Sequence, residues 1–180
     1  MKFLPTKLPG VTRLQGQPFV DERGLFCRLT CEKEFEEQGI NFVIRQSNIS
    51  ENRFKHTLRG FHYQIKPFEE AKILTPLRGA LYDIVVDFRR ESPTFLQWES
   101  FELDSGKRDA LYVPKGCLNA WLTLADETMV HYNMSEFFAP QASRGVRYND
   151  PHFCFTWPCE PAIISEKDLS YPDFDPASPA

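Results

Sequence analysis

The chain has 180 residues, a length that suits one domain burying roughly 70% of its extended-chain surface without staples. Its 21 Lys and Arg against 25 Asp and Glu leave a net charge of −4, which excludes the basic footprint of a nucleic-acid binder. The longest run without a charged residue, Gly116 to Ala125, falls far short of the ~18 residues of a membrane span, and Met1–Pro5 lacks the apolar core of a secretion signal. A cytoplasmic protein with no membrane association is therefore expected. The five cysteines (Cys27, Cys31, Cys117, Cys154, Cys159) are odd in number and contain no CxxC, which reads as reduced thiols buried as small hydrophobes. Among the four histidines no His-x-His occurs, so no metal is expected.

Fourteen prolines and 16 phenylalanines beside only nine glycines favour short strands broken by turns. One helix is predicted over about Cys31–Gln38, capped by Thr30 and stopped by Gly39. Strands follow over Phe42–Asn48, Leu58–Ile65 and Lys72–Pro76. After a turn at Leu77–Gly79 comes Ala80–Phe88, whose Ile84-Val85-Val86 run implies burial on both faces. Further strands are predicted over Leu96–Leu103, Ala110–Val113, Leu118–Leu124 and Thr128–Met134, the last two as a hairpin around Ala125–Glu127. Strands spaced by roughly 8–12 residues predict an all-β sandwich or jelly roll with one or two short helices. The reading is of a single domain over residues 1–180, with the proline-rich 171–180 as a surface tail.

Arg59-Gly60-Phe61-His62-Tyr63-Gln64 is the segment with chemistry in it. Alternation puts Gly60, His62 and Gln64 on one face of the strand and Arg59, Phe61 and Tyr63 on the other. Lys72 falls on the next predicted strand. Tyr132 falls on the last, with His131 on the opposite face. A histidine base, a lysine beside a developing enolate oxygen and a tyrosine acid on the far side together suit proton transfer at carbon.

Across Phe19–Pro172 the chain resembles the dTDP-4-dehydrorhamnose 3,5-epimerases. The resemblance rests on Asp21–Phe26 (DERGLF), Gln46-Ser-Asn48, Leu58–Gln64 (LRGFHYQ), Val86–Arg89 with Ser92–Phe95, Val113–Gly116, Asn149–Pro151, Trp157-Pro158 and Ser165–Asp168, in that order. It implies a cupin-like jelly roll (a double-stranded β-helix), a homodimer with strand exchange near the N-terminus, no metal or redox cofactor, and a nucleotide-diphosphate sugar substrate. It further implies roles for individual residues. His62 would be the base, Asp168 its orienting carboxylate and Tyr132 the opposite-face proton donor. Lys72 would meet the enolate oxygen, and Arg59 and Arg23 would anchor the diphosphate. Gln46 and Asn48 would contact the nucleotide, Phe138 would stack on its base, and Lys167 would contact substrate.

Each assignment has a plainer rival: Asp168 as a turn cap, Arg23 as a surface ion pair, Phe138 as core, Tyr132 as a buried ring. Three positions depart from the family pattern. Asn119 stands where the family has a sugar-contacting histidine, and Arg28 and Ser143 replace glutamates expected near the cleft. They point to a changed substrate, or to epimerisation at C3 alone. A nucleotide-sugar 3,4-ketoisomerase and a non-catalytic nucleotide-sugar-binding cupin remain as alternatives to a C3 and/or C5 epimerase.

Overall fold

The computed structural model describes residues 1–177. In chain order the N-terminal half comprises β1 (Lys2–Pro5), β2 (Thr12–Gln15), β3 (Phe19–Asp21), β4 (Gly24–Phe26), α1 (Glu32–Glu36), β5 (Gln46–Asn52), β6 (Leu58–Gln64), β7 (Lys72–Arg78) and β8 (Ala80–Asp87). The remainder comprises β9 (Trp98–Asp104), β10 (Asp109–Val113), β11 (Cys117–Thr123), β12 (Thr128–Met134), β13 (Ser143–Gly145) and α2 (Glu166–Leu169). The strands form a six-stranded sheet, β1-β2-β10-β7-β12-β5, a five-stranded sheet, β13-β6-β11-β8-β9, and a separate β3-β4 ribbon. All ladders are antiparallel. This is the predicted all-β jelly roll with two short helices.

Alternation along each strand sorts side chains into three apolar layers. Between the sheets, Leu74, Leu111 and Val130 of the large sheet meet Leu81, Val85, Leu103 and Cys117 of the small one. Outside the large sheet, Phe35 of α1 and Phe42 pack on Ile73 and Tyr112. Outside the small sheet, Phe61, Ile84, Val86 and Leu118 are covered by Val146, Phe153, Phe155 and Trp157. The Ile84–Val86 run is buried on both faces, Val85 inward and its neighbours outward.

Several local expectations are corrected. Leu118–Leu124 and Thr128–Met134 are not a hairpin: β11 pairs with β6 and β8, β12 with β5 and β7, and Leu124–Glu127 crosses between the sheets. Both strands must turn an apolar face inward, and facing each other across the core does that as well as pairing does. The helix is shorter than predicted, and its N-cap is Cys31, with no side-chain cap bond, rather than Thr30. Gly39 ends it in the left-handed region (φ +72), as its lack of Cβ allows. The strand predicted from Phe42 starts only at Gln46, because Phe42 is drawn down onto Phe35 and Tyr112. The short strands β1–β4 and β13 were not predicted: β1 pairs locally with β2 and β3 with β4, whereas β2 and β13 also take partners from distant chain, β10 and β6. Residues 171–177 do not simply trail over the surface. Phe174 packs on Phe88 and Phe153, and its N–H donates to Asp150 Oδ2 at 2.7 Å. The rest of the predicted tail, 178–180, lies outside the described residues. Only Cys117 is a buried thiol, Cys154 is exposed and the other three are half-buried.

Candidate active site

Strand alternation aims a small set of polar groups into the otherwise apolar space between the sheets. Lys72 shares the inner face of β7 with Leu74, and Tyr132 shares that of β12 with Val130. Asn119 and Trp121 do the same on β11 with Cys117, and Asp83 on β8 between Leu81 and Val85. On β6 the simple alternation fails. Asn119 is opposite His62 but Trp121 is opposite Arg59, so two steps on β11 match three on β6. This bulge turns Arg59 to the same side as His62, against the sequence-based expectation. Gly60 occupies it with φ +122, and a Cβ there would come within 2.6 Å of Ala120.

Two adjoining cavities result, of about 420 and 260 Å³, which share His62, Trp121, Tyr132 and Lys167. Arg59, Ser165 and Asp168 border the larger; Gln64, Glu70, Lys72, Phe138 and Ser143 border the smaller. His62 Nε2 lies 2.6 Å from Asp168 Oδ1. Asp168 is held in turn: its N–H donates to Ser165 Oγ (3.1 Å), and its Oδ2 accepts from the Gly60 N–H (3.4 Å). Burial acts to raise the Asp168 pKa, but the bond and charge of His62 and the Gly60 N–H prevail and hold it below the usual carboxylate range. Tyr171 meets the His62 ring edge-on at 6.5 Å, and Trp121 lies 6.0 Å from the Tyr132 ring.

Behind the smaller cavity is a buried polar cluster. Lys72 Nζ donates to His62 O (2.9 Å) and Asn119 Oδ1 (3.3 Å) and pairs with Glu70 Oε1 (3.2 Å). Asn119 Nδ2 donates to Asp83 Oδ2 at 3.1 Å. Complete burial, opposed by the Asn119 bond and the Lys72 charge, pushes the Asp83 pKa up to about 8, so this acid is mostly neutral at pH 7. Asn119 borders neither cavity and reaches them through Lys72.

The other predicted positions are scattered. Gln46 and Asn48 lie half-buried on the edge strand β5, and Gln46 Oε1 accepts the Phe138 N–H. Phe138 is 55% exposed, too open for a core residue. Arg23 is exposed at the tip of the β3-β4 ribbon and pairs with Asp21, outside both cavities. Arg28 pairs with exposed geometry to Glu34 (2.8 Å) and also lies away from them, so its reversed charge acts on α1 rather than on the pocket. Sequence reasoning passed over Trp121, Glu70 and Asp83. An acid inside the apolar Ala80–Phe88 run was a readable signal for Asp83. Glu70 sits between strands, where no periodicity marks it. Among the described residues no three His, Cys, Asp or Glu side chains gather as metal ligands, and no helix is long and apolar enough to cross a membrane.

A cupin-like barrel with a His–Asp pair and a tyrosine bordering one cavity is an arrangement suited to acid–base chemistry. The family model for dTDP-4-dehydrorhamnose 3,5-epimerase matches residues 5–176, and the chain belongs to that family. It is 32% identical over 173 residues to the dTDP-4-dehydrorhamnose 3,5-epimerase of Shigella flexneri, covering 94% of each chain. It superposes with a TM-score of 0.92 on the Bacillus anthracis enzyme solved with TDP and PPi bound, at 33% identity over 96% of this chain and 99% of that one. A 3′-monoepimerase from Streptomyces bikiniensis, in complex with dTDP-quinovose, gives 0.87 at 30% identity, over 94% and 86%. The chain is accordingly an isomerase of the epimerase type, from a fold group that includes C3-only relatives.

Proposed function

We propose that the chain is a cytoplasmic homodimer that epimerises a dTDP-linked 4-keto-6-deoxyhexose at C3, or at C3 and C5. The observation that carries this reading is that His62, paired with buried Asp168, borders the same cavities as Tyr132. Asp168 accepts from Nε2–H of His62, which leaves the lone pair on Nδ1. The ketone acidifies the neighbouring C3–H. His62 Nδ1 takes that proton, the C–H electron pair forms a C3=C4 bond, and the carbonyl pair moves onto O4. The charge of Lys72 stabilises this enolate oxygen. Tyr132 then protonates C3 from the opposite face as the electrons return, inverting the centre. Repetition at C5 would give the double epimer.

Arg59, on the His62 side of the bulge, suits the diphosphate with its planar fork. Phe138, exposed at the mouth, suits stacking on the base, with Gln46 and Asn48 near it on β5 and Lys167 over both cavities. Arg23 cannot serve its own chain's cavity from the ribbon tip. The ribbon leaves Phe19, Val20, Leu25 and Phe26 exposed, which supports its crossing to a second copy and taking Arg23 to that copy's site.

The test is deuterium uptake in D₂O across a panel of nucleotide 4-keto-6-deoxyhexoses, followed by NMR. The wild type should label C3, and H62A should abolish labelling while nucleotide binding stays near normal. Full labelling by H62A would remove His62 from the reaction.

A further inference from the structure

Among the described residues bordering the two cavities, Ser50 Oγ, Trp121 Nε1 and Glu70 Oε2 are buried without a hydrogen-bond partner, and Glu70 is the charged one of the three. An ammonium has three donors. Those of Lys72 go to His62 O, Glu70 Oε1 and Asn119 Oδ1. Glu70 is the opposite case. Its side chain is 4% exposed, its Oε1 faces Lys72, and its Oε2 is shielded from water with no partner in the protein. A buried carboxylate oxygen without a partner is costly, and native structures rarely keep one without a ligand to fill it. Glu70 also borders the smaller cavity with His62 and Tyr132, so a turn of its carboxylate brings the covered Oε2 to a ligand there.

We propose that Glu70 is a substrate-recognition residue: its free Oε2 accepts a hydrogen bond from the hydroxyl on C3 of the sugar, beside the ketone that Lys72 faces. This rests on the substrate reading above. A 4-keto-6-deoxyhexose joined to its nucleotide at C1 has only two free hydroxyls, on C2 and C3. Oxygens on adjacent ring carbons lie about a hydrogen-bond length apart, and the Glu70 carboxylate, whose Oε1 is 3.2 Å from Lys72 Nζ, sits at a similar spacing from the ammonium. With O4 at Lys72, the oxygen next to it is therefore O3. The longest Lys72 bond, to the neutral Asn119 amide at 3.3 Å, is the one O4 displaces. The Glu70 bond persists and keeps the carboxylate aimed. The pair thus reads a ketone and an adjacent hydroxyl as one unit.

The experiment compares kcat/KM for C3 deuterium uptake on three sugars: the parent, its 3-deoxy analogue and its 2-deoxy analogue. Wild type and E70Q are both assayed, with thermal melts confirming that E70Q is folded. Losing a hydrogen bond to a charged acceptor should lower wild-type activity on the 3-deoxy sugar by about 10- to 100-fold, with the 2-deoxy sugar much less affected. E70Q should be slower on the parent and treat parent and 3-deoxy sugar within about twofold of each other. Equal wild-type rates on the two deoxy sugars, a loss that follows the 2-hydroxyl, or undiminished 3-hydroxyl selectivity in E70Q would each overturn the assignment. Failure of the wild type to label any parent sugar would instead sink the substrate reading, and this inference with it.

Discussion

Asp168→Asn tests the two things the carboxylate does for His62, balancing its charge and fixing its tautomer. Asparagine keeps the shape but has a single acceptor oxygen: if that oxygen keeps the Gly60 N–H, its NH2 faces His62 Nε2 and moves the ring proton to Nδ1, and it cannot balance an imidazolium. The Asp168–His62 contact is 2.6 Å; the Asp168 side chain is 5% exposed and that of His62 41%, so solvent screens the pair only from the His62 side. A hydrogen bond between charged partners is worth about 1.5–3 kcal/mol net. His62 becomes positive only as it takes the substrate proton, so that energy belongs to the transition state and not to nucleotide binding. At 1.36 kcal/mol per decade the lost charge alone lowers kcat for C3 exchange by roughly 10- to 150-fold, and the changed tautomer lowers it further. The nucleotide dissociation constant should stay within about twofold. Single-turnover deuterium uptake in D₂O, with calorimetric binding of the nucleotide, separates the two effects. An exchange rate within twofold of wild type would show that the Asp168 side chain only holds Gly60 and His62 in place, and the acid–base assignment would have to be rebuilt.

Tyr132→Phe should keep C3 deuterium exchange on the His62 side and lose inversion, by about 10²–10⁴-fold in product formation; unchanged product kinetics would take Tyr132 out of the reaction. Asp83→Asn tests the neutral buried acid. With its pKa raised from 3.8 to about 8, Asp83 holds a proton when folded that it releases when unfolded, so its contribution is full below pH 4 and declines as pH rises toward 8. Wild-type unfolding free energy should therefore fall relative to D83N across that window, by about 1.4 kcal/mol per pH unit at the steepest; parallel curves from urea melts between pH 5 and 8 would show that Asp83 is ionised in the fold.

Period-two patterning was legible in the chain and carried much of the architecture. The strands between Leu58 and Met134 were placed within a few residues, because each is a short apolar or alternating run between turn signals. The same rule put His62 and Gln64 on one face and His131 opposite Tyr132. The candidate residues themselves were legible mainly through the ordered motifs of the family, since His62, Lys72, Tyr132 and Asp168 are too far apart in sequence for any local pattern to join them.

What the chain could not disclose by itself was pairing. Alternation says which side chains share a face and is silent on which strand lies beside which, so β11 and β12 read as a hairpin although they face each other across the core. It also cannot show a bulge, and one extra residue on β6 swings Arg59 from the far side of the strand to the His62 side. Glu70 follows the same logic, because an acid in a connecting segment reads as solvated until tertiary packing closes over it. Sequence sets local geometry through short-range sterics and hydrophobic period. Long-range contacts, which depend on how two sheets close around a cavity, decide which of those groups meet.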